Sequence, residues 1–432
     1  CSIIRPMLND IRDQFPILKT KINNNPLVYL DNAATTQKPQ IVLDAINEYY
    51  TKYNANIHRS SHVLAKEATK KWKEAHQITA DFLNADSYKE IIFTRNTTEG
   101  LNLLINTYGR KNLSNGDIVI ISEMEHHSNI VPWQMLQEEI GFEIKYIPVN
   151  SNYELDVDWL KEEIRKDGNR IKVLSIAHIS NVLGTLNPVK DIALLAHSIG
   201  AIMIVDAAQS VPHIRVDVKD IDCDALVFSG HKVYGPTGSG VLYCKENILS
   251  TLPPFLGGGE MILSVSKESF EMNELPWRFE AGTPDIESGI VLGETVKWFE
   301  KTVNDMGGYD GLINHERTLM KELFDSFDGI EWFKPFGKTD PSQRYGALTF
   351  NIEGFSFKGC KEKAQNNQEG DGIVEYISQK GICVREGFHC AEPLHDAFHV
   401  GPTMRASFGI YNNTDDIKSF ARYLKEAILS SY

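Results

Sequence analysis

Apolar and polar positions alternate along this chain in two rhythms. Short apolar runs that end in polar residues predict strands. They lie at Pro26–Leu30, Ile91–Thr94, Asp117–Ser122, Phe142–Pro148, Ile171–Ala177, Ile202–Asp206, Ala225–Phe228 and Val241–Tyr243, with one more over Val211–Val216. Between them, apolar positions at helical spacing predict helices. Leu8, Ile11, Phe15 and Leu18 share one side of a helix over 8–20, which Pro16 keeps short. Further helices are predicted over 39–53, 63–85, 101–105, 156–164 and 191–197. Strand and helix thus alternate, and the strands end in polar residues. That is the pattern of an α/β chain with an open, mostly parallel sheet and a site at the strands' carboxyl ends.

The later part reads differently. Helices are predicted over 286–302 and 311–327, then a strand at Ala347–Asn351, a helix at Ile373–Lys380, strands at Ile382–Val384 and Met404–Ile410, and a closing helix over 414–430. The stretch Lys358–Gly372 is polar and aperiodic, which predicts a surface insertion. At 432 residues the chain is too long for one simple core, and a domain boundary is expected near residue 300.

Composition narrows the classes. With 42% hydrophobic and 24% charged residues, the chain reads as globular. A formal charge of -14 argues against binding nucleic acid or another polyanion. No apolar run approaches a membrane span, and the start has no signal-peptide core. The chain opens on Cys1 rather than Met; a trimmed start is expected, with a lipid-anchored cysteine as the alternative. Cys1, Cys223, Cys244, Cys360, Cys383 and Cys390 form no Cys-x-x-Cys pair, which suggests a reduced compartment. The expected location is the cytoplasm, or an organellar stroma if an upstream segment has been removed.

The candidate chemistry centres on Ser229-Gly-His-Lys232, between an apolar run and a Gly/Pro turn. A lysine that forms a Schiff base must be partly desolvated and near cationic or dipolar groups, and this one is so placed. Alone it reads better as a surface lysine in a Gly/Pro loop. Asp206, ending an apolar strand upstream, changes that: an acid for a pyridinium nitrogen and a lysine for an aldehyde suit pyridoxal phosphate. Thr97-Thr-Glu99 opens a helix and reads as a plain cap or as a phosphate seat. Arg59 can grip a carboxylate. Adjacent His126 and His127 point apart, so one can lie over a cofactor ring. His58 and His62 have helical metal spacing but no third ligand, and no metal is expected.

Taken in order, Asp31-Asn-Ala-Ala34, Thr97-Thr-Glu99, Glu125-His-His127, Asn181, Asp206-Ala-Ala-Gln209, Ser229-Gly-His-Lys232, Ala281-Gly-Thr283, Arg385-x-Gly-x-His-Cys390 and Arg405-Ala-Ser407 resemble a cysteine desulfurase of the group-II, SufS-like branch. The resemblance runs from about residue 10 to the C-terminus. It implies the fold-type-I pyridoxal phosphate transferase fold: a large domain (30–300) with a mostly parallel seven-stranded sheet, and a smaller α+β domain built from an N-terminal arm (1–29) and residues 301–432. It also implies a homodimer with its sites at the interface.

The roles implied by the resemblance follow residue by residue. Lys232 carries the cofactor aldehyde and later takes the Cα proton of L-cysteine. Asp206 pairs with the ring nitrogen, and His126 stacks on the ring. Gln209 and Asn181 meet the phenolic oxygen. Thr97, Thr98, Ser229 and His231 hold the phosphate, with Gly282 and Thr283 helping from the other subunit. Arg405 clamps the substrate carboxylate, with Arg59 and Arg385 lining the site. Cys390 takes the sulfur as a persulfide, releasing L-alanine, with Arg385 and His389 favouring its thiolate. A SufE- or SufU-like acceptor would collect the sulfur for iron–sulfur cluster assembly. Two departures stand out: Phe388 where the family has a histidine, and Glu386, a negative charge close to the thiol in sequence. The rival readings are a selenocysteine lyase, an aminotransferase or other pyridoxal phosphate lyase, a silent assembly scaffold and a zinc protein.

Overall fold

The computed structural model describes residues 10–357 and 372–430. Seven strands form the central sheet: β1 (Ile91–Thr94), β2 (Ile118–Ser122), β3 (Glu143–Ile147), β4 (Ile171–Ala177), β5 (Ile202–Asp206), β6 (Ala225–Ser229) and β7 (Gly240–Cys244). Their order is β1-β7-β6-β5-β4-β2-β3. The run from β6 to β3 is parallel, and β7 lies antiparallel to both β1 and β6. This is the expected mostly parallel sheet. Its inner strands are apolar without alternation because helices cover both faces: every residue of β2, β6 and β7 is buried.

The helices alternate with the strands as the pattern predicts. They are α1 (Gln40–Glu48), α2 (Val63–Leu83), α3 (Thr97–Leu104), α4 (Val131–Ile140), α5 (Val157–Asp167), α6 (Val189–Ser198) and α7 (Ile286–Asp305). Asn96, Asp156 and Asp285 cap α3, α5 and α7, each accepting a backbone N–H with its side chain. α7 packs closely on α2, where a Cβ at Gly289 would lie 2.3 Å from the Trp72 ring.

A second, antiparallel sheet follows in the order β8-β9-β11-β10. Its strands are β8 (Phe333–Phe336), β9 (Ala347–Ile352), β10 (Arg385–Gly387) and β11 (Thr403–Ser407). Its core includes Leu348, Phe350, Met404 and Ala406 with residues of α8 (Tyr309–Ser326), α9 (Gly372–Gln379) and α10 (Thr414–Ser430). The chain's start joins this part: Val28–Tyr29 pairs in parallel with Ile382–Cys383, and Asp31 bridges to Ser407. That join brings Asp31 beside β10 and β11.

Several expectations change. Val211–Val216 is not a strand: Ser210 and Val211 both donate to the Ala207 carbonyl, and Ile214 donates to that of Ser210, so consecutive turns take the ladder donors. The 8–20 helix is a helical turn at 10–13 and a 3₁₀ turn at Pro16–Lys19, broken as Pro16 requires, with Leu8 outside the described residues. α7 runs past the predicted end at 302 to Asp305. α4, β8 and the hairpin of Ile262–Val265 with Phe270–Met272 were not legible from periodicity. The predicted insertion at 358–372 lies, but for Gly372, outside the described residues.

Candidate active site

The carboxyl ends of β2, β4, β5 and β6 and the first turn of α3 face a cavity of about 250 Å³. At its floor, the Thr97 N–H donates to Ser229 Oγ at 2.9 Å, and the two hydroxyls lie 2.8 Å apart. Thr98 Oγ1 lies 2.6 Å from Ser128 Oγ, which lies 3.0 Å from His126 Nδ1. The Ser128 N–H also donates to His126 Nδ1, so that nitrogen is an acceptor. Burial, reinforced by the positive charge of Lys232, pushes the His126 pKa down to about 3. The ring is therefore neutral, with its proton on Nε2.

Asp206 is buried at the end of β5, and its Oδ1 accepts the Ala208 N–H at 2.9 Å. Burial raises its pKa; the Ala208 N–H and the nearby Lys232 charge oppose the rise. Lys232 ends a 3₁₀ turn, Gly230–Lys232, that follows β6 directly. Desolvation lowers its pKa to about 8, against the pull of Asp206. Gln209 Nε2 donates to the Ala33 carbonyl at 2.8 Å.

The opposite wall comes from the second sheet. Arg385 and Arg405 are register partners on β10 and β11, so both side chains leave the same face. Arg385 Nε lies 3.2 Å from each Asp31 oxygen, and Arg405 Nη2 lies 3.4 Å from Asp31 Oδ1. Arg405 Nη1 donates to the Asn181 carbonyl at 3.0 Å. Arg405 is buried, its pKa is drawn down to about 10 by that burial, and its Nε has no partner. Cys390 sits exposed on the rim in a left-handed turn, with φ of 53° at His389 and 58° at Cys390. Asn181 Nδ2 donates to the His389 carbonyl at 2.7 Å, and the His127 N–H to the Cys390 carbonyl at 2.8 Å.

Of the residues singled out in the sequence, Thr97, Thr98, His126, Asn181, Asp206, Gln209, Ser229, His231, Lys232, Arg385, Cys390 and Arg405 line this one cavity. Arg59 does not. Its Nε pairs with Glu260 Oε1 at 3.3 Å and its Nη2 donates to the Ile262 carbonyl at 3.4 Å, contacts that hold the side chain against that loop. Thr283 lines a different cavity of the same chain, with Phe255 and Arg95. Glu386 registers with Met404, on the face of β10 opposite Arg385, so its charge is directed away from the cavity. Phe388 packs edge-on against His395, and the buried His389 ring binds Thr403 Oγ1 at 3.0 Å. The His58 ring lies tilted against Trp277 and His62 caps α2, so neither shares a ligand set. Among the described residues no cluster of His, Cys, Asp or Glu could hold a metal.

The family model described as aminotransferase class-V matches residues 28–420. The chain belongs to the class-V aminotransferase family. Among class-V relatives, it is 41% identical to a probable cysteine desulfurase of Halalkalibacterium halodurans over 97% of each chain. It also resembles two solved structures, each at 34% identity, 98% coverage of both chains and a TM-score of 0.86. One is an apo cysteine desulfurase from Thermococcus onnurineus, the other the cysteine desulfurase CsdA (S-sulfonic acid) from Escherichia coli.

The donor set of this class-V site fits pyridoxal phosphate. A helix N-terminus with three hydroxyls suits the phosphate, the buried Asp206 suits a pyridinium, and Lys232 suits an aldehyde. The unpartnered Arg405 Nε leaves a buried donor for a substrate carboxylate. Some of the site escaped the sequence. Asp31 stands in the sequence reading only as the start of the Asp31-Asn-Ala-Ala34 motif, yet it pairs with both arginines. Its signal was available, since it follows a short strand as Asp206 does. Ser128 and the fully buried Glu125 were also missed as working parts. Glu125 ties β2 to β4 through Ser122 Oγ and the Ala177 N–H, and burial raises its pKa to about 7.

Proposed function

We propose that this chain is a pyridoxal phosphate-dependent cysteine desulfurase of the group-II, SufS-like branch. It converts L-cysteine to L-alanine and leaves a persulfide on Cys390. The observation that carries this is one cavity lined by both Lys232 and Cys390, with Asp206 and Arg405 on its walls. An aminotransferase has no use for the thiol.

Bound pyridoxal phosphate supplies an aldehyde for an amine and a ring that draws electrons from the substrate's Cα. Thr97, Thr98, Ser229 and His231 would hold its phosphate, Asp206 its ring nitrogen, His126 its ring face, and Gln209 with Asn181 its phenolic oxygen. Arg405, desolvated and oriented by Asp31 and Asn181, binds the substrate carboxylate through its unpartnered Nε. Lys232 Nζ, lowered to about 8, takes the Cα proton. Cys390 Sγ then attacks the substrate sulfur. An S–S bond forms, the Cβ–S bond breaks, and its electron pair remains on the substrate carbon, which is protonated on the way to alanine. Cys390 is exposed, so a protein acceptor of the SufE or SufU kind can reach the persulfide and pass sulfur toward iron–sulfur cluster assembly.

A division into an arm (1–29), a large domain (30–300) and a small domain (301–432) is supported by the two sheets and by the pairing of Val28–Tyr29 with Ile382–Cys383. A homodimer is supported by Thr283 and Arg59, neither of which lines the cavity of its own chain, and by the apolar hairpin that exposes Leu263, Val265 and Phe270. Among the described residues no helix is long and apolar enough to cross a membrane.

The test is sulfide and alanine release from L-cysteine with a reductant, for the parent and for Cys390→Ser. Both products are expected from the parent, and loss of at least about a hundredfold in the variant. Equal sulfide from both would remove Cys390 from the reaction. No cofactor absorbance in the parent, even after pyridoxal phosphate is added, would end the reading.

A further inference from the structure

The 3₁₀ turn that presents Lys232 is held from outside. Within the turn, the Gly230 carbonyl accepts the Val233 N–H at 3.0 Å and the Gly235 N–H at 2.9 Å. The next carbonyl, that of His231, belongs to the peptide bond joining His231 to Lys232. Its donors come from a distant segment: the Thr36 N–H at 3.0 Å, Thr35 Oγ1 at 3.2 Å, Thr36 Oγ1 at 3.0 Å and Lys38 Nζ at 3.0 Å. Lys38 Nζ also donates to the Thr36 carbonyl at 2.7 Å, which closes the segment on itself. Thr36 Oγ1 in turn accepts the Tyr234 N–H at 2.9 Å, just past the lysine.

Lys38 is the charged member of this set, and among the described residues it has no carboxylate partner. Its charge is met by carbonyl oxygens alone, and burial draws its pKa down to about 7. An ammonium held in such a place without an acid partner is costly, and only the hydrogen bonds to these carbonyls offset it. The segment it closes also contacts the rest of the site, through Asp31 on Arg385 and Arg405 and through the Ala33 carbonyl on Gln209.

We propose that Lys38 is a positioning residue for Lys232, acting through the carbonyl of the peptide bond that precedes it. The proposal rests on the reading of Lys232 as the cofactor lysine and Cα base. Lys232 must reach two positions, one on the cofactor aldehyde and one at the substrate Cα, from a single backbone anchor. A rotated His231–Lys232 peptide would shift the base relative to Cα, and misplacement of about 1 Å costs about a hundredfold in rate.

The test compares parent, Lys38→Met and Lys38→Arg, each loaded with pyridoxal phosphate. The readouts are the visible circular dichroism of the bound cofactor, the isotope effect on kcat with Cα-deuterated L-cysteine, and the thermal midpoint. Lys38→Met is expected to lower kcat at least about tenfold, raise the isotope effect and alter the dichroism, with KM changed less than about threefold. Lys38→Arg, which keeps a cationic donor, is expected to recover most of each. Should Lys38→Met fold poorly, Lys38→Gln replaces it. An unchanged isotope effect and dichroism, whatever happens to thermal midpoint or rate, would make Lys38 a purely structural tie and overturn the proposal. A parent without a cofactor band would instead sink the functional reading itself.

Discussion

Asp31 stands between two guanidiniums, and its geometry decides how the substrate carboxylate is met. It accepts from Arg385 through both oxygens and from Arg405 through one. An asparagine cannot neutralise either cation, and its amide would present a donor where an acceptor is needed. Asp31→Asn is therefore expected to raise KM for L-cysteine about tenfold, about 1.4 kcal/mol, with a smaller change in kcat. Steady-state kinetics decide it, and a lower KM would mean that Asp31 competes with substrate for Arg405. His178 makes a separate case. It is buried, its Nδ1 has no partner, and desolvation alone pushes its pKa down to about 4. Between about pH 4 and 6.5 the unfolded state binds this proton and the folded state does not. Its contribution is thus complete above pH 6.5 and is lost as pH falls toward 4, on the order of 3 kcal/mol. His178→Asn is expected to flatten the fall of thermal midpoint across that window, and an unchanged slope would show that the ring is already protonated when folded. Lys232 and Asp206 were legible in the sequence because each stands at a run's end beside small or charged residues, whereas Cys390 was legible through the resemblance. Asp31 and Lys38 were not read as working residues, because their partners lie far along the chain and only the fold brings them near.

Among the elements, β7 shows how a strand can set a site without touching ligand. It runs antiparallel between β1 and β6, and its first residue, Gly240, lies against the backbone of Asn96, the cap of α3. A Cβ there would lie 2.5 Å from Asn96 Cα and 2.8 Å from its C and N, contacts that no side-chain rotation relieves. Gly240→Ala must push the start of α3, and with it Thr97 and Thr98, away from Ser229. It is expected to cost about 2–3 kcal/mol of stability and to weaken cofactor retention. Denaturant unfolding and cofactor release on gel filtration check both; retention unchanged despite lost stability would separate β7 from the site. Helices and inner strands were predictable because burial on one stripe or on both faces leaves a periodic trace. α4 was missed because Val131-Pro-Trp follows His127 within a polar loop, and Pro132 at its start reads as a break although it is tolerated there. The Val211–Val216 run was misread because an apolar stretch in tandem turns has a strand's composition without its ladder.

On the scale of the whole molecule, the chain's two ends meet at one site: Asp31 near the start, Arg405 near the finish, and the central sheet between them. Such a site forms only when the long-range pairings have formed. Thr283 raises the further question of which molecule it serves. In its own chain it lines a cavity of about 440 Å³ with Phe255 and Leu256, apart from Lys232. Beside it lies the exposed apolar hairpin, a face of the kind that marks a contact between copies. If Thr283 completes the cofactor site of a second copy, the two lesions Lys232→Ala and Thr283→Asp can be placed in different subunits and one site will be spared. Each variant alone is expected to lose activity, the first for want of the base and the second because its carboxylate would repel the phosphate. Refolded together, about half the molecules are mixed pairs at equal concentration. Each mixed pair then holds one site with an intact lysine and an intact threonine from opposite subunits. Activity is expected to return to about a quarter of the parent's, because half the pairs carry one working site of two. Recovery requires the threonine to act across the interface; if it acts within its own chain, every site keeps one lesion and the mixture stays inactive.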